Sequence, residues 1–231
     1  MYDDFDVYVA DYRQVHSKNV SMTGADSSYF AKHKVRCLQQ YEINKELNWL
    51  DLGCGDGMLT MFLEEAYPLG NITAADVSAE SIALAKEKKL RAKCIHYDGA
   101  VLPCSSDSFD VVILAAVLHH IRFEQHADFL KEVFRVLKPG GRVYVFEHNP
   151  YHPATRYMVR TCIFDKDARL LKPAYTRQIF LQSGFVRPSI RYTLFFPRWF
   201  GYRIWEKLEQ FIGQLPFGGQ YLFRAEKDLR G

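Results

Sequence analysis

The chain has 231 residues, 48% of them hydrophobic and 15% aromatic, so it can bury a sizeable core in one domain and is neither disordered nor fibrous in composition. The net charge is only +3, no apolar run approaches the roughly 20 residues of a bilayer-spanning helix, and the acidic start Met1–Asp6 lacks a signal-peptide core. Five cysteines at 37, 54, 94, 104 and 162 are scattered without a C-x-x-C pair, which predicts reduced thiols in a cytoplasmic protein. The charge is uneven: residues 151–231 carry 14 Lys and Arg against 6 Asp and Glu, whereas the first 150 are acidic. Such a basic end suits a solvated surface, an anionic substrate or a membrane face. No nucleic-acid partner is expected, because no recognised binding motif accompanies the charge.

Tyr8 to His16 and Tyr29 to Tyr41 read as two helices ahead of a sheet, joined by a loop rich in Ser, Thr, Gly and Asp. Strands near 47–52, 71–76, 93–97, 109–115 and 142–147 then alternate with helices over 58–66, 79–90 and 124–137. That is the βα order of a parallel sheet. Lys138-Pro139-Gly140-Gly141 stops the last of these helices. Tyr175 to Ser183 reads as a helix stopped by Gly184, and 186–195 and 219–226 as two strands. Between them Phe196, Phe200, Ile204, Leu208, Phe211 or Ile212, and Leu215 recur at three to four residues, one apolar face of an inserted helix over 196–217.

The motif that carries most is Leu50-Asp51-Leu52-Gly53-Cys54-Gly55-Asp56-Gly57, a strand end followed by glycines at alternate positions and then a helix from Met58. Glycine permits a tight turn and a close ligand approach, and a glycine turn between strand and helix is the usual nucleotide site of a doubly wound sheet. The dinucleotide pattern fails, because its third glycine would fall on Met58, and the Gly-Lys-Ser/Thr of a phosphate loop is absent. The loop holds Asp51 and Asp56 and no Lys or Arg, so it repels a polyphosphate and suits a ligand with a positive charge and hydroxyls.

Asp51 to Gly57 resembles the first motif of class I S-adenosylmethionine-dependent methyltransferases. Ile72 to Ser78 resembles that family's second strand, Tyr97-Asp98-Gly99 its third strand end, Phe109 to Leu114 its fourth strand, Val117 to His120 the segment after it, and Leu137 to Gly141 the turn before the fifth. The resemblance is close over about 30–150 and loose elsewhere. It implies an α/β, Rossmann-like doubly wound sheet of about seven strands, mostly parallel with one antiparallel strand, with helices on both faces. It further implies one domain over 1–231, divided into an N-terminal helical cap (1–44), a cofactor-binding core (45–150) and substrate-side elements (151–231) with the 196–217 insertion. The cofactor implied is S-adenosyl-L-methionine, leaving as S-adenosyl-L-homocysteine, and no metal.

On that resemblance Asp76 accepts the ribose hydroxyls, with Val77 beside it, and Asp98 with Gly99 meets the adenine. Asp51 and the backbone of Gly53, Cys54 and Gly55 face the ammonium, Ala115 leaves room for the methyl group, and Tyr12 caps the sulfonium through a cation–π contact. Alternatives stay open for several of these: Asp76 as a helix cap, although Ser78 is better placed; Asp98 as a turn residue; Tyr12 in helix packing. His148 and His119 are the candidate proton acceptors, and His148-x-x-x-His152 is no metal pair because Pro150 and Pro153 argue against a helix there. The activity implied is methyl transfer to a small-molecule, lipid or sugar-type acceptor by in-line displacement. The alternative is a non-catalytic subunit that keeps the fold for binding or assembly. The 196–217 segment reads as core, as a lid over an apolar acceptor, or as a peripheral membrane contact.

Overall fold

The computed structural model describes residues 27–162, 168–195 and 211–229. The predicted helix over 8–16, Tyr12, and the insertion from 196 to 210 lie outside the described residues. The elements run in the order α1 (Ser27–Gln39), β1 (Asn48–Leu52), α2 (Met58–Ala66), β2 (Asn71–Asp76), α3 (Ala79–Glu87), β3 (Lys93–His96), β4 (Phe109–Ala115), α4 (His126–Val136), β5 (Leu137–His148), α5 (Pro153–Thr161), α6 (Pro173–Gln182), β6 (Phe185–Thr193) and β7 (Gln220–Lys227). Seven strands form one sheet in the order β3-β2-β1-β4-β5-β7-β6. All neighbours are parallel except β7, which runs antiparallel to both β5 and β6.

Alternation along the central strands decides which helices cover which face. Leu50, Leu52, Val112, Leu114, Val143 and Val145 meet α4 and α6 through Leu130, Val133, Ile179 and Phe180. Their odd-even partners Trp49, Val111, Ile113, Tyr144 and Phe146 meet α1 and α2 through Val35, Leu38, Phe62 and Leu63. A central parallel strand is thus apolar on both sides, which is why it reads as a continuous hydrophobic run. The strand order reverses between β1 and β4, and the crevice at their carboxyl ends is where such sheets bind ligands.

Several predicted boundaries move. The helix over 79–90 ends at Glu87. The helix over 124–137 begins instead as a 3₁₀ turn, Phe123–Gln125, and becomes α-helical from His126. β5 starts at Leu137 rather than 142, because Leu137 already pairs with Phe109 before the register shifts to Val111–Arg142. α5 was not foreseen: Pro153 occupies a first-turn position, where proline is favoured because its missing N–H has no helical partner. His148 and His152 are separate as expected, one ending β5 and the other capping α5. In the inserted segment only 211–212 are helical among the described residues, and 213–217 form turns, in keeping with Gly213 and Pro216.

A buried carboxylate ties α1 to the sheet. Glu42, just after α1, accepts Arg142 Nε at 2.8 Å and Tyr144 O–H at 2.6 Å on one oxygen, and Arg142 Nη2 on the other. Tyr67 donates to its backbone carbonyl. Replacing Glu42 by Gln leaves the Arg142 charge unmatched and half-buried. The expected cost is about 2–4 kcal/mol, below the figure for a fully enclosed pair because Arg142 keeps some solvent contact. Urea unfolding checks this, and a loss under about 0.5 kcal/mol, the range of an ordinary surface change, rejects the clamp.

Candidate functional site

The glycine loop is stapled to β2. Gly53 and Cys54 N–H both donate to the Ala75 carbonyl, at 2.8 and 3.1 Å. Gly55 N–H donates to Asp76 Oδ2 at 2.8 Å, and Asp76 Oδ1 accepts from Ser78 N–H at 2.9 Å. Asp76 thus ties the glycine loop to the start of α3 through one backbone donor on each carboxylate oxygen. Ser78 Oγ takes the cap of α3 from Ser81 N–H, so the cap alternative for Asp76 falls to Ser78.

The three glycines have different reasons. All have positive φ, +78°, +53° and +76°. A Cβ on Gly53 would lie 2.4 Å from Val117 Cγ2, and one on Gly57 would press on Leu90 and Ala85. Those two glycines serve chain packing. Among the described residues nothing lies within 4 Å of a Cβ placed on Gly55, so this is the position open to a ligand. Lys88 folds onto the outer side of the loop, donating to the Asp56 carbonyl and pairing with its carboxylate. The loop's own residues are acidic, but Asp56 is paired with Lys88, the C-cap of α3.

Asp51 is fully buried at the end of β1. Its Oδ2 accepts Thr60 O–H at 2.7 Å, while Oδ1 has no hydrogen-bond partner. Burial lifts its carboxyl to about 6, with the Asp76 charge adding and Thr60 and Lys34 opposing. Asp98 is exposed, and its Oδ1 closes a turn onto Ala100 and Val101 N–H, which hold it below the usual carboxylate range. Gly99 follows with φ +84°. Val77 is half-buried against the core, and its carbonyl meets His96 Nε2 at 3.1 Å.

After β4 the chain turns through Ala115 and Ala116, the latter at φ +61° with its N–H on the Phe146 carbonyl. A left-handed non-glycine residue is uncommon and marks a backbone held by its surroundings. Glu147, wholly buried at the end of β5, then holds the following segment. Its Oε1 accepts Leu118 N–H at 2.9 Å and its Oε2 meets His119 Nδ1 at 2.5 Å. Burial works to raise Glu147, but the imidazoles of His119, His148 and His120 bring it below the usual range. His119 is buried with its ring 4.2 Å from His120 and 5.4 Å from His148. His148 is half-buried at the crevice, in register with Gln220. His152 is engaged as the cap of α5 through Thr155. No group of three or more metal-ligating side chains suited to an ion occurs among the described residues.

Two residues of the site carry no motif. Asn149 donates to the carbonyls of Pro216 and Gly218 at 3.0 and 2.7 Å, fastening the chain after β5 to the approach of β7. Lys34 is only 9% exposed and makes no hydrogen bond or ion pair with a described residue. Burial lowers its ammonium to about 8, opposed by the charges of Cys37, Glu147 and Asp51. The signal for it was present: Lys34 interrupts the apolar stripe Ala31, Val35, Leu38 of α1.

Residues 50–145 match the model of a methyltransferase domain. Demethylmenaquinone methyltransferase of Staphylococcus aureus is 35% identical over 125 residues, 51% of this chain and 51% of that protein. The match thus spans about half the length of such curated relatives. A methyltransferase of Thermotoga maritima, described as S-adenosylmethionine-dependent and a possible histamine N-methyltransferase, superposes with a TM-score of 0.71 at 18% identity, covering 99% of this chain and 100% of that one. A second S-adenosylmethionine-dependent methyltransferase, from Archaeoglobus fulgidus, gives 0.68 at 16% identity over 87% and 95%. These two likenesses establish the fold.

The Asp51 carboxyl, at about 6 in the fold, sits above its unfolded value of 3.8. The folded chain then holds a proton that the unfolded chain has released, and ionising Asp51 costs stability as pH rises from about 4 to about 6. Asp51→Asn removes this contribution. In urea unfolding without ligand, the stability advantage of Asp51→Asn over wild type should grow by about 1–3 kcal/mol between pH 4 and pH 7. A difference that stays constant with pH excludes the burial of an ionised Asp51.

Proposed function

We propose, from the methyltransferase-domain match over residues 50–145 and the motifs that resemble class I S-adenosylmethionine-dependent methyltransferases, that the chain moves a methyl group from that donor to a small lipid-like acceptor. The observation that carries the donor half is the open position at Gly55, next to Asp51 with an unpartnered oxygen and to the β2 end at Asp76. The donor supplies an already activated methyl group on sulfur, with a neutral thioether as leaving group.

The chain's own residues hold and align. Asp76 accepts the ribose hydroxyls with Val77 against the base, and Asp98 beside Gly99 meets the adenine amino group through its second oxygen. Asp51 and the backbone of Gly53, Cys54 and Gly55 face the ammonium. Ala115 leaves space at the transfer point. Such alignment contributes up to roughly 7–11 kcal/mol to an in-line displacement. His148 takes the proton from the acceptor. His119, oriented by Glu147, sits behind it and fixes the turn after β4.

Three features support a lipid-like acceptor. The curated relative is named for a quinone-type substrate, although its match covers only about half of either protein. Tyr151, Tyr157, Phe211, Leu215 and Phe217 are exposed, and the Asn149 bonds bring 149–151 against 216–218. Arg156 and Arg160 are exposed on α5 beside Tyr157, a composition that suits peripheral contact with anionic lipid. No helix among the described residues is long and apolar enough to cross a membrane.

The test is transfer of labelled methyl to short-chain hydroquinones, compared with water-soluble amines and sugars. Transfer to the hydroquinone is expected. Transfer only to the soluble acceptors rejects the lipid reading, and tight S-adenosylhomocysteine binding without any transfer indicates a binding subunit instead. His148→Ala should lower kcat by about 10²- to 10⁴-fold while S-adenosylhomocysteine affinity is kept. Unchanged turnover removes His148 from the proton-accepting role.

A further inference from the structure

Three strands finish side by side at the crevice edge. His148 is the last residue of β5, Thr193 the last of β6, and Gln220 the first of β7, which runs against both. Gln220 is the register partner of His148 on one side and of Thr193 on the other. Directly paired residues project from the same face of a sheet, so the three side chains form one row. Its face is that of Phe146 and Leu222. Thr193 and Gln220 are only 4% and 8% exposed, yet Thr193 Oγ1 and Gln220 Oε1 have no hydrogen-bond partner among the described residues. Buried polar atoms are nearly always bonded, because an unmade bond costs the desolvation of the group. Valine and methionine have nearly these shapes without that cost. The neighbouring groups are committed elsewhere: the Asn149 amide to the Pro216 and Gly218 carbonyls, Thr155 Oγ1 to the Gly219 carbonyl, and Gly219 N–H to the Leu194 carbonyl.

The two atoms differ in kind. A Gln carbonyl oxygen only accepts, whereas a Thr hydroxyl also donates. One ligand hydroxyl satisfies both, giving its hydrogen to Gln220 and taking one from Thr193. A charged group is disfavoured, because neither atom offers a counter-charge. Strands lie about 4.8 Å apart, so this pair sits one to two strand widths along the row from His148, a distance that one ring with an oxygen at each end bridges. We infer that Gln220 and Thr193 bind a hydroxyl of the methyl acceptor away from the reacting position, and so set which part of the acceptor meets His148. This rests on the acceptor reading proposed above and adds to it a neutral hydroxyl that the acceptor must carry.

A short-chain hydroquinone and the matching phenol, which lacks the second hydroxyl, test this in the presence of S-adenosylhomocysteine. By calorimetry, wild type should bind the phenol about 3- to 10-fold more weakly, the loss of one hydrogen bond between neutral groups. Thr193→Val and Gln220→Met should each weaken the hydroquinone by about the same factor and leave the phenol and S-adenosylhomocysteine unchanged. In turnover they should raise KM with kcat kept, as the loss of uniform binding does. Thr193→Ser should bind like wild type. Ligand-free Thr193→Val should melt at or above the wild-type temperature, which a hydroxyl bonded within the fold would not allow. Should the variants fail to fold, the wild-type comparison of the two ring compounds decides. Equal binding of hydroquinone and phenol to wild type overturns the assignment, as does a Thr193→Val protein that melts lower and keeps its hydroquinone affinity. Wild type that binds S-adenosylhomocysteine but neither ring compound overturns the acceptor reading, and this assignment with it.

Discussion

Burying carboxylates at the end of an apolar parallel sheet is the constraint on which this site depends. Three of them gather there: Asp51, Asp76 and Glu147. Each must be stabilised or held neutral, and the three are treated differently. Glu147 takes a backbone N–H and an imidazole, and so stays ionised despite its burial. Asp76 takes two backbone N–H groups, one from the glycine loop and one from the start of α3. Asp51 takes a single hydroxyl and is lifted toward neutrality. Glu147 has both oxygens bonded within the fold, Asp76 joins the glycine loop to the start of α3, and Asp51 keeps one oxygen without a hydrogen-bond partner.

The same economy governs the glycines. Gly53 is small because Val117 occupies the place of its Cβ, and Val117 belongs to the turn that Glu147 holds through Leu118. The glycine loop and the turn after β4 are thereby in van der Waals contact. Ala116 in a left-handed conformation, tied to the Phe146 carbonyl, fixes the other side of that turn. Donor loop, post-β4 turn and the end of β5 form one packed unit, and His148 issues from it.

Much of this was legible in the sequence because it is local. The five parallel strands, the glycine turn, the acid ending β2 and the cap at Ser78 are each written in a few consecutive residues, and periodicity or turn chemistry finds them. What escaped depends on partners far along the chain. Lys88 on Asp56 is 32 residues distant, Asn149 on Gly218 is 69, and Glu147 on His119 is 28. α5 escaped for another reason. Pro153 was read as a helix breaker, whereas at the first turn it is a helix starter, with His152 supplying the cap. Lys34 lay in plain view as a charge within an apolar stripe, and only the burial of its neighbours shows which way it points.

β5 connects these levels. Its middle carries Arg142 and Tyr144, which grip Glu42 and with it the end of α1. Its last residues are Glu147 and His148. Tyr144, Phe146 and His148 alternate along one face, the face that α1 covers. The end of α1 is thus fixed by a clamp midway along the strand whose last residue is the candidate proton acceptor, so the helix that covers this face of the sheet and the end of β5 share one buried anchor.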